Sequence, residues 1–488
     1  MRTHNIKRSI GTNALLNVIK QLLSILFPML TVYTATRALG ADNYGMVNYI
    51  KSIVSYFILL SGLGISTYAI REGSKCRDNQ RQFNKFANEV FTINAFSTII
   101  SSILLLIFLS IIKINSSSKE FNLYLVFGFS MVLSLIGADW VNSIYEDFLY
   151  LTVRYICIYV LAVICLFAFV RAPENYLIYA ILTVIATYGG NILNIFYIRR
   201  YAKLRLAPLS ECKRHIRPIL ILFGSTIAST IYISSDTTII GAIIDNKAVA
   251  IYTVASQIYI AIKHMTNAAV SVAIPRLSYF VGNEDVDKFN ALVSKIFNCA
   301  LLFVCPCAVG LFELSDYAMI IMGGKDYIVG STSLKVLSIA LFFAVIAYIL
   351  SRCILIPSNK DNIYLLATII SALVNIGLNF FIVPRLLYTG AAITTLISEI
   401  LVFVIFWIYS QRIIRIHIPR SDFIKSIGGC IFIIIVCQVI NSLNISTLLT
   451  VILSIILSAL VYSIFVLITR HSIALEITEK IKHKIYKN

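Results

Sequence analysis

The sequence predicts an all-α polytopic membrane protein with about fourteen transmembrane helices. Hydrophobic residues make up 59% of the 488 residues and charged residues only 13%, whereas soluble domains carry about 45–50% and about 25%. Apolar runs of about 20 residues recur along the chain, which is the length that an α-helix needs to cross a membrane. Membrane β-barrels are excluded, because their strands are only about 10 residues long and alternate in polarity.

The same composition excludes a cytosolic enzyme, a disordered chain and a nucleic-acid-binding domain. The formal net charge is +18, but the basic residues lie between apolar runs rather than on one solvated surface. The ten cysteines include no Cys-x-x-Cys pair and are expected to be small buried hydrophobic residues. No P-loop, His-Glu-x-x-His or Gly-x-Ser-x-Gly motif is present, so we expect neither an enzyme nor a bound cofactor or metal.

Apolar runs that are broken by charged or turn residues define the expected spans in chain order. The spans are 13–36, 46–70, 86–112, 121–143, 149–170, 175–198, 217–241, 248–274, 293–322, 330–352, 363–383, 390–410, 424–441 and 447–469. The first run has no small-residue cleavage site, so we interpret it as a retained helix and not as a signal peptide. Only Glu146 and Asp147 separate the fourth span from the fifth.

Positive charge sets the orientation of these spans. With the N-terminus inside, the cytoplasmic segments, counted with the span-end residues Arg217, Arg352 and Lys425, hold 28 of the 41 Lys and Arg residues, the outer loops hold 7 and the spans hold the other 6. This excess predicts that both termini are cytoplasmic. Every outer loop is short, about twelve residues or fewer, so no external catalytic domain is expected.

A basic linker divides the chain after the sixth span. Residues 199–217 contain seven Lys and Arg residues. We therefore expect an N-terminal lobe of helices one to six over residues 1–205 and a C-terminal lobe of helices seven to twelve over 206–415. Helices thirteen and fourteen and a basic cytoplasmic tail would follow over 416–488. Two lobes of six helices each have the same orientation and are related by an axis along the membrane normal.

Four spans carry polar residues at spacings of three and four, which place them on one helix face. They are Asn13, Asn17, Lys20, Ser24 and Thr31 in span one; Asn48, Lys51, Ser52, Ser55 and Gly62 in span two; Ser225, Ser229, Tyr232 and Asp236 in span seven; and Thr253, Gln257, His264, Asn267 and Ser271, flanked by Lys263, in span eight. Polar faces are costly in lipid unless they meet other helices or water. Hydrogen bonds between helices explain the hydroxyl groups, whereas the lysines favour a water-filled cavity between the lobes.

The other charges within spans have simpler interpretations. Asp139 and Arg154 lie at similar depth in adjacent spans, so we expect a structural ion pair. Lys295 and Lys335 lie near span ends, from which they can reach the interface. Glu399 lies in the middle of span twelve, where it is either a proton or cation site or a hydrogen-bonded core residue.

Several motifs resemble those of bacterial polysaccharide repeat-unit flippases, which belong to the multidrug/oligosaccharidyl-lipid/polysaccharide exporter superfamily. The motifs are Arg37 to Gly40 with Tyr44 and Gly45, Tyr68 to Glu72, Ser235 and Asp236 with Ile239 to Gly241, Tyr252 to Ala255, Pro275 to Leu277, and Gly390 to Ala392 with Ser398 and Glu399. The resemblance covers nearly the whole chain.

This resemblance implies two six-helix lobes around a cavity lined by helices one, two, seven and eight. It implies a cargo of undecaprenyl-pyrophosphate-linked oligosaccharide, moved by alternating access from the cytoplasmic to the outer leaflet of the bacterial inner membrane. O-antigen or capsule synthesis would follow outside, with a polysaccharide polymerase and a chain-length regulator as possible partners beside the membrane lipid.

Individual residues acquire expected roles in this scheme. The cavity residues that would bind substrate are Lys20, Lys51, Lys263, Asn17 and Asn267, the candidate gate pair is Lys51 with Asp236, and the candidate ion-coupling residues are Asp236 and Glu399. Lys20 and Lys263 lie in the inner half of their spans and would capture the pyrophosphate from the cytoplasm. Two ammonium groups supply charge-assisted donors to phosphate without a metal.

Two other functions remain open from the sequence. A multidrug–cation antiporter of the same superfamily is expected to have an acidic residue deep in the first helix, where this chain has Lys20. A membrane polysaccharide polymerase is expected to have a large external loop, and the outer loops here are short.

Overall fold

The computed structural model describes residues 10–112, 117–271, 273–283, 285–414, 416, 420–443 and 445–485. These residues are mostly helical, and no β-strand occurs among them, so the predicted all-α fold is confirmed. Ten helices of the described part are long and apolar enough to cross a membrane. Two of them, Phe27–Gly73 and Asp361–Gln411, each cover two predicted spans. Predicted spans seven and eight coincide with two further helices, which is consistent with fourteen spans.

Packing divides the chain into two compact units, Met1–Ala250 and Ile251–Asn488. The first unit contains α1 (Ile10–Gly62), α2 (Ile65–Gly73), α3 (Gln80–Ile112), α4 (Ser118–Gly137), α5 (Asp139–Ile144), α6 (Phe148–Phe169), α7 (Tyr176–Val184), α8 (Gly190–Tyr197), α9 (Leu209–Ile243) and the start of α10 (Asn246–Ser271). The second unit contains the rest of α10, α11 (Ile274–Gly282), α12 (Val286–Glu313), α13 (Ser315–Gly323), α14 (Ser331–Ile349), α15 (Asp361–Gln411), α16 (Arg420–Ser442), α17 (Thr447–Ile468) and α18 (Ser472–Ile485).

Local backbone breaks separate predicted spans that otherwise form one long helix. In α1, Gly40 has φ 72° and ψ 169°, a non-helical conformation that glycine adopts without a clash from a Cβ atom. In α15, Leu387 has φ 52° and ψ −137°, three residues after Pro384. The first break separates predicted spans one and two, and the second separates spans eleven and twelve.

The charged pair between predicted spans four and five also interrupts the helices. Glu146 has φ 58°, and the helical structure stops between the end of α5 and Phe148. Asp147 accepts hydrogen bonds from the hydroxyl groups of Tyr197 (2.6 Å) and Tyr201 (2.9 Å). Glu146 and Asp147 therefore lie in the turn between the two predicted spans. The hydrogen bonds of Asp147 also attach this turn to the end of α8.

A buried carboxylate holds the beginning of α9 against α2 and α3. Glu89 of α3 is fully buried, and its Oε2 lies 2.6 Å from both the guanidinium of Arg214 and Nε2 of His215. The hydroxyl of Tyr68 lies 2.6 Å from Nδ1 of the same histidine. Because of these contacts α9 packs with the first unit, and the observed division follows Ala250 instead of residue 205. The two six-helix lobes stay a prediction.

The second unit is built around α14, which packs against α12 and α15. The α14 side chains of Leu334, Leu337 and Leu341 are fully buried. At the edge of the unit, α18 is attached to this core through buried Asp422, which accepts hydrogen bonds from Asn298 (3.0 Å) and from the hydroxyl of Ser472.

A buried histidine lies directly before α18. His471 is 0% exposed, and burial lowers the pKa of its imidazole from the usual value of 6.5. The nearby Lys425 also lowers this pKa, whereas Asp422 opposes both effects. The imidazole is therefore held mainly in its neutral form near the junction between α17 and α18.

Two glycines allow α1 to approach α9 and α10 within the first unit. A Cβ atom on Gly241 would lie 2.1 Å from the ring of Tyr49. A Cβ atom on Gly45 would lie 1.7 Å from the backbone oxygen of Asn246. Both distances are far below van der Waals contact, so any larger residue at these positions forces the helices apart.

We predict that Gly45→Ala destabilises the first unit, because its methyl group meets rigid backbone and not a flexible side chain. Overpacking of this kind costs about 1–3 kcal/mol. The matched control is Gly62→Ala, since a Cβ atom there meets no atom within 4 Å. Thermal unfolding of the two purified variants measures the difference. Equal melting temperatures for the two variants would contradict the packing described here.

Candidate functional site

Hydroxyl groups join α9 to the part of α1 that follows the break at Gly40. Ser52 Oγ lies 2.9 Å from Thr238 Oγ1, and the hydroxyl of Tyr56 lies 3.1 Å from the same atom. One turn away, Ser55 donates to Ser234 Oγ at 3.0 Å. These contacts explain the serines of the polar stripe in predicted span two as hydrogen-bonding partners between helices.

Lys51 and Asp236 lie on these same two helices. The side chain of Lys51 is exposed, whereas Asp236 is 5% exposed. No ion pair joins them in this structure, and Lys51 has no hydrogen-bond or ion-pair partner among the residues that the structure describes. The predicted adjacency of helices two and seven is observed, and the charge gate itself stays a prediction.

The second unit contains a buried ion pair that joins α10 to α15. Nζ of Lys263 lies 2.5 Å from Oε1 of Glu399. The hydroxyl of Tyr259 donates to the same oxygen at 3.0 Å and accepts from Lys263 at 3.3 Å. Tyr259 and Lys263 are one helical turn apart, so one face of α10 presents both donors to a single carboxylate. The sequence identified Lys263 and Glu399 separately and did not pair them.

The two partners of this ion pair differ in accessibility. The side chain of Lys263 is 25% exposed, whereas that of Glu399 is 7% exposed. The carboxylate therefore lies within the helix packing, and the ammonium group lies closer to accessible space.

Other predicted site residues on α10 have varied surroundings. Thr253 and Asn267 are buried, and Oγ1 of the first and Oδ1 of the second have no hydrogen-bond partner in the described part of the chain. His264 is exposed. The side chains of Asn17 and Lys20 lie outside the described residues, so their predicted roles stay predictions.

The sequence did not predict a buried polar cluster in α15, which consists of Asn375, Asn379 and Thr394. Thr394 Oγ1 donates to Asn379 Oδ1 at 2.7 Å, and the amide of Asn379 donates to Asn375 Oδ1 at 3.2 Å. All three side chains are 0% exposed. The signal that could have revealed them is the spacing of four between two asparagines in an apolar run, which places both on one helix face.

The predicted structural pair of Asp139 and Arg154 in the first unit is confirmed. One guanidinium nitrogen of Arg154 lies 2.8 Å and 2.7 Å from the two carboxylate oxygens of Asp139. The amide of Asn194 donates to the same carboxylate at 3.0 Å. Among the described residues, no group of three or more His, Cys, Asp or Glu side chains is arranged to hold a metal ion.

Comparison with known proteins identifies related sequences. The signature of the family described as "Polysaccharide biosynthesis protein" matches residues 10–281. The "Putative O-antigen transporter" of Escherichia coli (strain K12) is 23% identical over 402 residues, which are 81% of this chain and 95% of that protein. The "Capsular polysaccharide biosynthesis protein CapF" of Staphylococcus aureus is 20% identical over 410 residues, 81% of this chain and 98% of that protein.

Solved structures share the fold. The structure titled "Lipid II flippase MurJ, inward closed conformation" has a TM-score of 0.78 at 18% identity and covers 93% of this chain and 98% of its own. An inward-facing multidrug resistance MATE family transporter of the MOP superfamily has a TM-score of 0.63 at 13% identity, with 82% and 97% coverage. At such identities the likeness establishes the architecture alone.

We predict that the gate pair forms in another conformation of the protein. In a background without the ten native cysteines, Lys51→Cys with Asp236→Cys should crosslink in membranes, since both positions lie on adjacent helices. The matched positive control is Ser52→Cys with Thr238→Cys, whose native side chains are already in contact. If the control pair crosslinks and the 51–236 pair never does, the gate does not exist.

Proposed function

Because the chain belongs to the polysaccharide biosynthesis protein family, we propose that it is a flippase for undecaprenyl-pyrophosphate-linked oligosaccharide repeat units. It moves them from the cytoplasmic to the outer leaflet of the bacterial inner membrane by alternating access. The relatives named for O-antigen transport and capsular polysaccharide biosynthesis support this cargo class. The architecture shared with a lipid II flippase supports a transport role without chemical conversion of the cargo.

The observation that carries this proposal is the sign of the accessible charges. Predicted spans two and eight each contain one Lys, Arg, Asp or Glu residue: Lys51, whose side chain is exposed, and Lys263, whose side chain is partly exposed. Asp236 of α9 and Glu399 of α15 are buried. Each of these two spans therefore presents a positive charge and suits an anionic diphosphate head group.

The same observation weighs against the second candidate, a multidrug–cation antiporter. The MATE family transporter shares this fold, so the architecture alone leaves both functions open. A cationic drug needs a reachable carboxylate, and Glu399 already bonds Lys263 and Tyr259. The charge arrangement favours the flippase.

Capture of the cargo begins on the cytoplasmic side in this proposal. Lys20 and Lys263 bind the diphosphate, and Asn17 and Asn267 supply neutral hydrogen-bonding groups to the cargo. Lys51 and Asp236 close the outer side until cargo arrives. Both termini are cytoplasmic, and a polysaccharide polymerase with its chain-length regulator uses the product at the outer face.

We predict that deletion of the gene abolishes surface polysaccharide and leaves lipid-linked repeat units on the cytoplasmic face of the membrane. The reason is that polymerisation needs repeat units at the outer face. Extraction of surface glycan from the cells measures the first effect. An assay that shows in which leaflet the lipid-linked repeat units are accessible measures the second. Intact surface glycan combined with raised drug sensitivity would instead support the antiporter.

We predict that Lys263 is needed for export and not only for folding. Lys263→Ala alone leaves Glu399 as an unpaired buried charge, which destabilises the protein whatever its function. The informative variant is therefore Lys263→Ala with Glu399→Gln, which removes both charges. Loss of a charged hydrogen bond worth about 1.5–3 kcal/mol should lower export at least tenfold. Glu399→Gln alone is the matched control, because it keeps the lysine. Wild-type export by the double variant at normal protein levels would refute this role.

A further inference from the structure

Glu399 and Tyr259 both contact the ammonium group of Lys263, which the proposed cargo would need for its own binding. We infer that diphosphate binding at Lys263 displaces Glu399 and is coupled to the uptake of one proton by that glutamate. The inference rests on the proposed function and adds a feature that the function does not require. A flippase could hold its cargo by free lysines, without any internal carboxylate to replace.

The first step in the argument is competition for one ammonium group. Nζ of Lys263 lies 2.5 Å from Glu399 Oε1 and also donates to the hydroxyl of Tyr259, so two of its three N–H donors are engaged. A diphosphate that binds the same ammonium group brings negative charge next to the carboxylate. Two anions that share one cation away from water disfavour each other's ionised form. The cargo and the ionised glutamate therefore exclude one another.

The second step is that no other cation replaces Lys263 as the counter-charge of Glu399 among the described residues around it. α14 and the segment Leu350–Leu355 pack against α15. On them, Lys335 pairs with Asp316 at 3.2 Å, and Arg352 lies 5.6 Å from the ring centre of Tyr364. On α10 the remaining ionisable neighbours are Tyr252, Tyr259 and His264, and the first of these contacts Thr395 instead.

A carboxylate in this position becomes neutral when it loses its counter-charge. An uncompensated charge in an apolar interior is so costly that the group binds a proton instead. The side chain of Glu399 is only 7% exposed, so water does not replace the lysine. The proton comes from the solvent that enters with the cargo, and it returns to solvent when the ion pair forms again.

Tyr259 allows the carboxyl group to exist in both states. Its hydroxyl donates to Glu399 Oε1 at 3.0 Å. A protonated carboxyl group keeps a carbonyl oxygen that accepts the same hydrogen bond, so neutralisation leaves no buried donor unpaired. The hydroxyl also accepts a hydrogen bond from Lys263 at 3.3 Å, so it can stay hydrogen-bonded to either residue when the two separate. The site is therefore prepared for an exchange of partners and not for a permanent ion pair.

The test measures proton uptake during ligand binding by the purified full-length protein. The probe is geranyl diphosphoglucose, a short-chain diphosphate diester that has no titrating group near neutral pH. Calorimetry in buffers of different ionisation enthalpy gives the number of protons taken up per bound ligand. For the wild type we expect about one proton, and hence an affinity that falls about tenfold when the pH is raised from 7 to 8.

Two variants identify the group that takes up the proton. Glu399→Gln should bind the probe about tenfold more tightly at pH 8, since the lysine is no longer engaged, and should take up no proton. His264→Gln is the matched control and should keep the uptake of the wild type, because His264 is exposed and follows Lys263 directly in the chain, and imidazole is the side chain that ordinarily exchanges a proton near neutral pH.

Several outcomes would overturn the inference. They are binding by the wild type without proton uptake, equal uptake by Glu399→Gln, loss of uptake in His264→Gln, and no saturable binding of the probe. Surface glycan export by the same variants in cells distinguishes a failure of the proton coupling from a failure of the proposed flippase function. Normal export by a wild type that binds the probe without proton uptake refutes the coupling and leaves the proposed flippase intact.

Discussion

The cost of an unpaired charge away from water organises the polar interior of this protein. Ionised groups in a membrane are stable only when they meet an opposite charge, a hydrogen-bonding group or water. The chain satisfies this condition by joining one helix to another through ion pairs. Arg154 bonds Asp139 in the first unit, and Lys263 bonds Glu399 in the second. Each pair fixes the relative position of two helices because a shift of either would expose a bare charge to an apolar surrounding.

The placement of α9 follows from the same condition. Glu89 is fully buried and draws Arg214 and His215 from the beginning of α9 onto α3. Farther along α9, hydroxyl contacts such as that of Thr238 with Ser52 attach the helix to α1. The helix is thus held at both ends by polar groups within one unit. Between these attachments, Pro218 lies inside the helix, where it removes one backbone hydrogen bond and allows bending.

A shared fold leaves the ligand open, and the charges in it narrow the choice. The architecture resembles both a lipid II flippase and a multidrug transporter. These proteins act on chemically different molecules, so the helix arrangement cannot by itself select a cargo. In this chain the accessible groups of Lys51 and Lys263 are positive, while Asp236 and Glu399 are buried. In our proposal, this difference in exposure favours an anionic ligand over a cationic one.

The all-helical class, the helix faces and the chain breaks could be predicted from the sequence because each depends on neighbouring residues. Apolar runs of sufficient length define spans, and Glu146 with Asp147 interrupts them in a way that hydropathy reveals. The pairing of Asp139 with Arg154 could also be predicted, since the two residues lie only fifteen positions apart at similar depth.

Tertiary structure alone decided the remaining partners. Spacing shows that Tyr259 and Lys263 share a face of α10, but it does not show which helix that face meets. The partner, Glu399, is 136 residues from Lys263 in the chain. Likewise, nothing in the residues around Glu89 identifies His215, 126 positions away, as its contact. A helix face can be packed against any other helix of similar polarity, so these pairings follow only from the packing of the whole chain.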